Sequence, residues 1–269
     1  MKLNPVTLVV AMMVPAAALA QAARPAAARA VTVTPAEKTA AAQITPDLLR
    51  AHVRFLADDL LEGRGPASRG DRTAQLYIAT QMEALGLQPG APGGGWLQPV
   101  EVVGITSKVP ETVTFKKKDG GTLDLKTHTD VIAVSSLETT APKLEDAELV
   151  FVGYGIVAPE FGWDDYKGMD LKGKVLLMMN NDPEDDPKLF AGRTRLWYGR
   201  WDYKYDQAAR HGAAGAIIIH TEPSAGYKFQ VLQTSWTGEQ FQLPSEGNPE
   251  VTVKGLASAF MPRWSWCAV

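Results

Sequence analysis

A chain of 269 residues carries 27 Lys and Arg against 30 Asp and Glu, a formal net charge of −3. That balance leaves no basic footprint for a polyanion and argues against nucleic acid as a partner. One cysteine, Cys267, excludes a disulfide framework, so stability rests on a packed core.

Met1-Lys2 precede an apolar run from Val6 to Val14, followed by Pro15 and Ala18-Leu19-Ala20. The small residues at −3 and −1 predict a secretory signal over 1–20, cleaved before Gln21, and a secreted or periplasmic product. The run is too short to cross a hydrocarbon core of roughly 30 Å, so no membrane association beyond the signal peptide is expected. Residues 21–44, rich in Ala, Pro and Thr and without periodicity, read as a disordered spacer.

Order is expected from Thr45, which can cap a helix with Pro46 and Asp47 in its first turn. Leu48, Leu49, His52, Phe55, Leu56 and Leu60 recur at three- and four-residue steps, and Gly63 and Gly65 are read as the end of that helix. A second helix is expected from Asp71 to Leu85, with Ala74, Tyr77, Ile78, Met82 and Leu85 on one face and Gly86 as its stop. The two helices should pack as a pair.

From Trp96 the pattern turns to short β-rich runs, Val100–Val103, Thr112–Phe115, Thr122–Leu125 and Val131–Val134. Lys116-Lys117-Lys118-Asp119-Gly120-Gly121 reads as a hairpin turn, and the polar stretch around Pro142 as a boundary. Beyond it Glu148–Val152 and Val175–Met178 are continuous apolar runs, which implies burial on both faces. Trp201 to His211 should be helical, with Tyr205, Ala208 and Ala209 inward, feeding through Gly212 into a buried strand at Ala216–Ile219.

The candidate chemistry is sparse. Gly153-Tyr154-Gly155-Ile156-Val157-Ala158 matches a dinucleotide fingerprint in spacing, but that mechanism needs a helix N-terminus, and Pro159 and Gly162 favour a turn. His128-Thr129-Asp130 has a spacing seen at metal sites; a zinc site needs three or four converging ligands, so a polar strand-edge cluster is the preferred reading. His52 is assigned to helix packing, His211 to the last turn of its helix, and His220 to a loop-facing position. Glu184-Asp185-Asp186 lacks the glycine spacing of a calcium loop and reads as a solvated turn. Ser68 lacks a His and Asp partnership, and Cys267 lies too near the terminus for an oriented nucleophile. Arg193, Arg195, Trp197, Tyr198, Arg200 and Trp201, with Tyr203 and Tyr205, form an aromatic–basic cluster. It can line a groove for a peptide or carboxylate, or simply pack around a long loop; both readings stay open.

At Phe55-Leu56-Ala57-Asp58-Asp59-Leu60-Leu61-Glu62-Gly63-Arg64-Gly65 the chain resembles the N-terminal segment of bacterial secreted zinc aminopeptidases, metallopeptidase family 28. The likeness continues through Arg69-Gly70-Asp71, Tyr77-Ile78-Ala79 and Gly86-Leu87-Gln88-Pro89. Residues Glu148 to Glu222 resemble the protease-associated (PA) domain inserted in many of these enzymes, at Asp165-Tyr166, Asp170-Leu171-Lys172-Gly173-Lys174-Val175 and Gly212-Ala213-Ala214-Gly215-Ala216. The resemblance implies a peptide substrate and, for the full-length family, two zinc ions held by ligands that follow the PA domain and begin with His-x-Asp. Nothing after His220 contains a His, and His128-Thr129-Asp130 precedes the PA segment. No catalytic, metal or cofactor role is therefore transferred, and no cofactor is expected for this chain.

The expected fold class is thus α/β of the α+β kind: an N-terminal helical pair plus a β-rich PA-type domain, with the catalytic α/β domain largely missing. The expected divisions are the signal at 1–20, the spacer at 21–44, the helical pair and β segment at 45–140, the PA domain with flanking strands at 141–254, and an aberrant tail at 255–269. That tail, with two Trp and the lone Cys in its last six residues, suggests a reading frame broken near Lys254.

Overall fold

The computed structural model describes residues 33–258. The signal peptide, the first part of the spacer, Cys267 and most of the expected tail lie outside them. The chain divides into two compact units at Pro89/Gly90.

The first unit corrects the spacer. A short helix α1 (Pro35–Ala41) stands where disorder is expected. Thr34 Oγ1 accepts from Glu37 N at 3.2 Å, and the Glu37 carboxylate accepts from Thr34 N at 2.7 Å. This reciprocal cap, with Pro35 behind it, holds a seven-residue helix together without a buried face, which is why periodicity missed it.

Helix α2 (Pro46–Leu56) starts under Thr45, whose hydroxyl accepts from Leu48 N at 3.2 Å. It stops at Leu56, earlier than expected, because Asp58 accepts from Leu60 N and opens a 3-10 stretch over Asp59–Arg64. Leu60 therefore leaves the apolar face, 83% exposed, and Leu61 takes the buried place at 4%. Helix α3 (Arg69–Ala84) begins two residues before its expected start, capped by Ser68. The helices meet through Tyr77, whose ring stacks on Phe55 at 4.0 Å and whose hydroxyl lies 2.9 Å from His52 Nδ1. His52 is thus a packing residue. The face of α3 is narrower than expected: Gly70, Ala74 and Ala79 are buried, whereas Ile78, Met82 and Leu85 are exposed.

The second unit contains β1 (Val103–Thr106), β2 (Thr112–Lys116), β3 (Thr122–Lys126), β4 (Val131–Val134), β5 (Leu149–Phe151), β6 (Val157–Ala158) and β7 (Trp163–Asp164). It continues with β8 (Val175–Met179), α4 (Trp201–Arg210), β9 (Gly215–His220), α5 (Glu222–Ala225), α6 (Gln230–Ser235), β10 (Glu239–Gln242) and β11 (Val253–Ser258). Five strands form one sheet in the order β4-β11-β9-β8-β5. Strands β5, β8, β9 and β11 are parallel, and β4 closes one edge antiparallel to β11.

Both faces of this sheet are buried, as the unbroken apolar runs require. Leu176, Met178, Ala216, Ile218 and Leu256 pack with Tyr205 and Ala208 of α4 and Leu232 of α6. Val175, Leu177, Ile217, Ile219 and Ala257 face the other way, toward Leu125 and the β2–β3 hairpin residues Val113 and Phe115. The hairpin turns through Lys116–Gly121 as expected, with Gly120 N donating to Lys117 O at 3.0 Å. The chain is an α+β protein.

Three boundaries move. The polar stretch at 141–146 is a loop inside the second unit, because β4 precedes it and pairs with β11 more than a hundred residues on. Gly255, Leu256, Ala257 and Ser258 are not an aberrant tail but the last four residues of β11, which lies between β9 and β4 in the sheet. The first strand lies three residues later than expected, since its register is set by pairing Val103–Thr106 with Glu239–Gln242 and leaves Val100 and Val102 exposed. Strand pairing over such separations is invisible to local pattern.

Candidate functional site at the carboxyl edge of the sheet

The parallel strands end side by side: β5 runs into Val152-Gly153-Tyr154, β8 into Asn180-Asn181-Asp182, and β9 ends on His220. Met179 pairs with Ile219, so Asn180 and His220 follow together at that edge. Here the core turns polar. Asn180, Asn181, Asp182, Lys204 and His220 are all buried.

The side chains of Asn180, Asp182 and Lys204 are tied into hydrogen bonds here. Asn180 Oδ1 accepts from Trp201 Nε1 at 2.8 Å and from Asn181 N at 3.0 Å, while its amide nitrogen donates to Ser224 Oγ at 3.0 Å. Asp182 Oδ2 accepts from Leu196 N at 3.0 Å, which pins the far end of the 183–200 segment back onto β8. Lys204 Nζ donates to Tyr154 O at 2.5 Å. Burial pulls its amine down to about 7, against the opposing attraction of Asp165 and Asp182.

The turn after β5 is held from the other side by Asp165. Its Oδ2 accepts from Tyr154 N at 3.1 Å and Ile156 N at 3.0 Å. Tyr166 Oη donates to Gly155 O at 3.2 Å, deep in the core. Gly153 and Gly155 both have positive φ, and a Cβ on Gly155 would lie 2.3 Å from Met178 Sδ. The glycine pair is there for turn geometry. No helix follows it; β6, a 3-10 turn and β7 do, so the fingerprint spacing has no pyrophosphate cradle.

The structure splits the aromatic–basic cluster. Tyr203 and Tyr205 are buried, and Tyr198 packs edge-to-face on Phe190 and Tyr203 with its hydroxyl on the Glu160 carboxylate. Trp201 is half-buried against Trp236. Trp197, 58% exposed, stays at the surface, as do Arg193, Arg195 and Arg200. Arg195 reaches back to donate to Ser224 O, and Arg200 occupies the N-cap position of α4. So packing takes the tyrosines and Trp201, and the arginines with Trp197 remain available for contact.

The histidines divide likewise. His211 Nδ1 lies 2.8 Å from Gln207 O in the last turn of α4, and its ring stacks on Tyr166 at 3.9 Å. His220 is not loop-facing: it is 2% exposed, set against Tyr227 and Phe229, and its Nε2 has no hydrogen-bond partner. Burial lowers its pKa, so the imidazole is kept neutral. Glu184, Asp185 and Asp186 form the exposed turn expected of them.

Sequence reasoning missed Lys204, Asn180, Asn181, Asp182 and the burial of His220. Lys204 could have been found, because it stands four residues before Ala208 on the inward face of α4. The Asn-Asn-Asp run directly after an apolar strand marks the same edge.

The described residues do not fit a zinc site. No group of three or more His, Cys, Asp or Glu side chains among them converges as a metal would require. Asp130 is engaged with Lys126 N at 2.8 Å, and His128 N donates to Val131 O. Ser224 Oγ is bonded to Thr221 and Asn180, not to an imidazole. Among the described residues the polar side chains of this edge hold the surrounding turns and one another in place.

No protein-family model matches the chain, and no curated protein matches it. Among solved structures, a zinc aminopeptidase from Bacillus subtilis is similar at 17% identity, over 63% of this chain and 32% of that one, with a TM-score of 0.24. The chain thus spans about a third of that protein's length. A superposition of this quality carries nothing about the site.

Proposed function

We propose that this chain is the N-terminal helical pair and PA-type lid of a secreted zinc-dependent aminopeptidase, an enzyme that removes N-terminal residues from peptides. In this reading the described residues bind and position, and they carry no zinc ligands. The observation that supports it is the convergence of the PA-like motifs. Asp165 and Tyr166 hold the Gly153–Gly155 turn, while Gly173 N donates to Gly212 O at 2.9 Å and Ala214 N to Lys174 O at 2.8 Å. Motifs distant in sequence thus hold one another. Export through the 1–20 signal belongs to the same proposal, and N-terminal sequencing of the product should begin at Gln21.

The test is release of an N-terminal residue from aminoacyl-anilides by the purified chain, with zinc and with a chelator. No zinc-dependent release is expected. Chelator-sensitive turnover would overturn the lid assignment.

A second reading, a PA-type peptide-binding module without catalysis, is favoured by the surface placement of Trp197 with Arg193, Arg195 and Arg200. Fluorescence titration with a mixed peptide library should then saturate, and a flat titration would remove this reading.

A further inference from the structure

Lys204 occupies an unusual position. Its side chain is completely buried, and its helix neighbours belong to different cores, Tyr205 to the main one and Tyr203 to a small satellite. The satellite consists of Ile156, Ala158, Phe190 and Tyr203, with Tyr154, Leu196 and Tyr198 packed against it. An ammonium has three protons to place. Among the described residues Lys204 has one hydrogen bond, to Tyr154 O, and its Nζ stands 5.9 Å from the centre of the Tyr154 ring. The ion pairs among the described residues of the second unit are Lys116–Asp146, Lys174–Glu148 and Lys254–Glu250, none of which involves Lys204.

The charged and titratable groups facing this amine come from three elements. Tyr154 lies on the turn after β5, Asp165 follows β7, and Asp182 follows β8. Both carboxylates attract the amine, but neither forms an ion pair with it; Oδ2 of Asp165 accepts from Tyr154 N and Ile156 N, and Oδ2 of Asp182 from Leu196 N. A buried ammonium with one acceptor and no ion pair is costly, and the cheapest relief is to let water reach it.

The route for that water is set by the packing. The main sheet is closed on both faces, whereas the satellite core is small and depends on the 183–199 segment. That segment is tethered at Asp182–Leu196 and at Tyr198–Glu160, and it contains positive φ at Phe190 and Ala191, with Asn181 also positive just before it. Its tip, Glu184 to Lys188, is exposed.

We propose that Lys204 is a protonation-operated latch: its neutral amine lets the 183–199 segment stay packed, and its protonation releases that segment from the carboxyl edge of the sheet. The direction agrees with burial, which holds the closed-state amine near neutrality, while an opened segment returns it to the ordinary lysine range. Opening then takes up a proton. Between the two pKa values the open population rises about tenfold for each unit the pH falls, and below the closed-state value it levels off. Since the segment carries Arg193, Arg195 and Trp197, the latch would set when those contacts are displayed.

The experiment is amide hydrogen exchange on the full chain from pH 9.5 to 6, with protection factors corrected for the intrinsic pH dependence of exchange. Protection over 183–199 is expected to fall about tenfold per pH unit down to about pH 7 and then flatten, while β8 and β9 hold theirs. In Lys204→Met the segment should stay protected, with less than twofold change. The same fall in Lys204→Met, or no fall in the unaltered chain, would overturn the latch. Should Lys204→Met fail to fold, 13Cε-labelled lysine in the unaltered chain decides the matter. A resonance titrating near neutrality supports the latch, and titration of every lysine above pH 9 refutes it.

Discussion

Gly70→Ala sets two effects of opposite sign against each other in the first unit. Gly70 is in the first turn of α3, and replacing a helical glycine by alanine ordinarily stabilises by up to about 1 kcal/mol. Here a Cβ would lie 1.7 Å from Leu61 O and 2.7 Å from Leu61 C. Both are backbone atoms, so no side chain can rotate away, and the 3-10 stretch must lift off α3 by more than 1 Å. That movement exposes Leu61, whose burial is worth roughly 1.5–3 kcal/mol, in a unit whose other buried residues are small. Overpacking of this kind typically costs about 1–3 kcal/mol. The clash wins, and a net loss of about 1–3 kcal/mol is expected. Hydrogen exchange over residues 46–85 measures it, with Thr73→Ala on the exposed face of the same helix as control. Unchanged or increased protection in Gly70→Ala would show that the α3–Leu61 approach is not as close as described.

Ile218→Asp places a carboxylate between α4 and the centre of the sheet; the lost burial of about 1.5–3 kcal/mol plus several for an unpaired charge should leave the product insoluble, and a normal melting curve would refute the buried strand. Asp165→Ala orphans the N–H groups of Tyr154 and Ile156 and should cost about 2–4 kcal/mol in urea unfolding, with Asp165→Asn intermediate because it keeps one acceptor. His220 has a folded-state pKa below its ordinary value, so the unfolded chain binds the extra proton, and stability is lost as pH falls below about 6.5, by up to about 1.4 kcal/mol per unit. His220→Phe should flatten that limb, and an unaltered slope would place the acid sensitivity elsewhere. Trp201→Ala should cost about 3–5 kcal/mol, whereas Trp197→Ala, at an exposed site, should stay within about 0.5 kcal/mol; equal losses would contradict the division of the cluster.

The elements that local chemistry specifies were legible. Thr45-Pro46-Asp47 starts α2, Gly86 follows α3, the Lys116–Gly121 turn joins β2 to β3, and Gly212 leads from α4 into β9. What failed was long-range or reciprocal. β4 looked like part of an earlier segment because nothing near Val131 announces a partner at Leu256. Leu256 and Ala257 looked aberrant because a buried strand is judged by its neighbours in the sheet, not in sequence. The site was half legible for the same reason. Aromatic and basic residues drew notice by composition, whereas Lys204 and His220 matter through burial, which only the packed structure shows.

The strand order explains why the candidate contacts lie on a loop. Open parallel sheets bind ligands at their carboxyl edge where the strand order reverses and adjacent loops part. Here β5, β8, β9 and β11 follow one another in sequence order, and the helices of the β8–β9 and β9–β11 connections, α4 and α6, pack on the same face. No reversal opens a crevice among these strands. Their carboxyl edge is instead filled by Asn180, Asp182, Lys204 and His220, and Asp182 anchors the segment that carries Arg193, Arg195 and Trp197 by accepting from Leu196 N. The sheet therefore contributes a rigid base and a polar fastening, and any recognition depends on how that segment is set upon them. On the proposed peptide-binding reading, a substitution at Asp182 should weaken a peptide titration without touching the peptide, and one at Trp197 should weaken it without disturbing the fold.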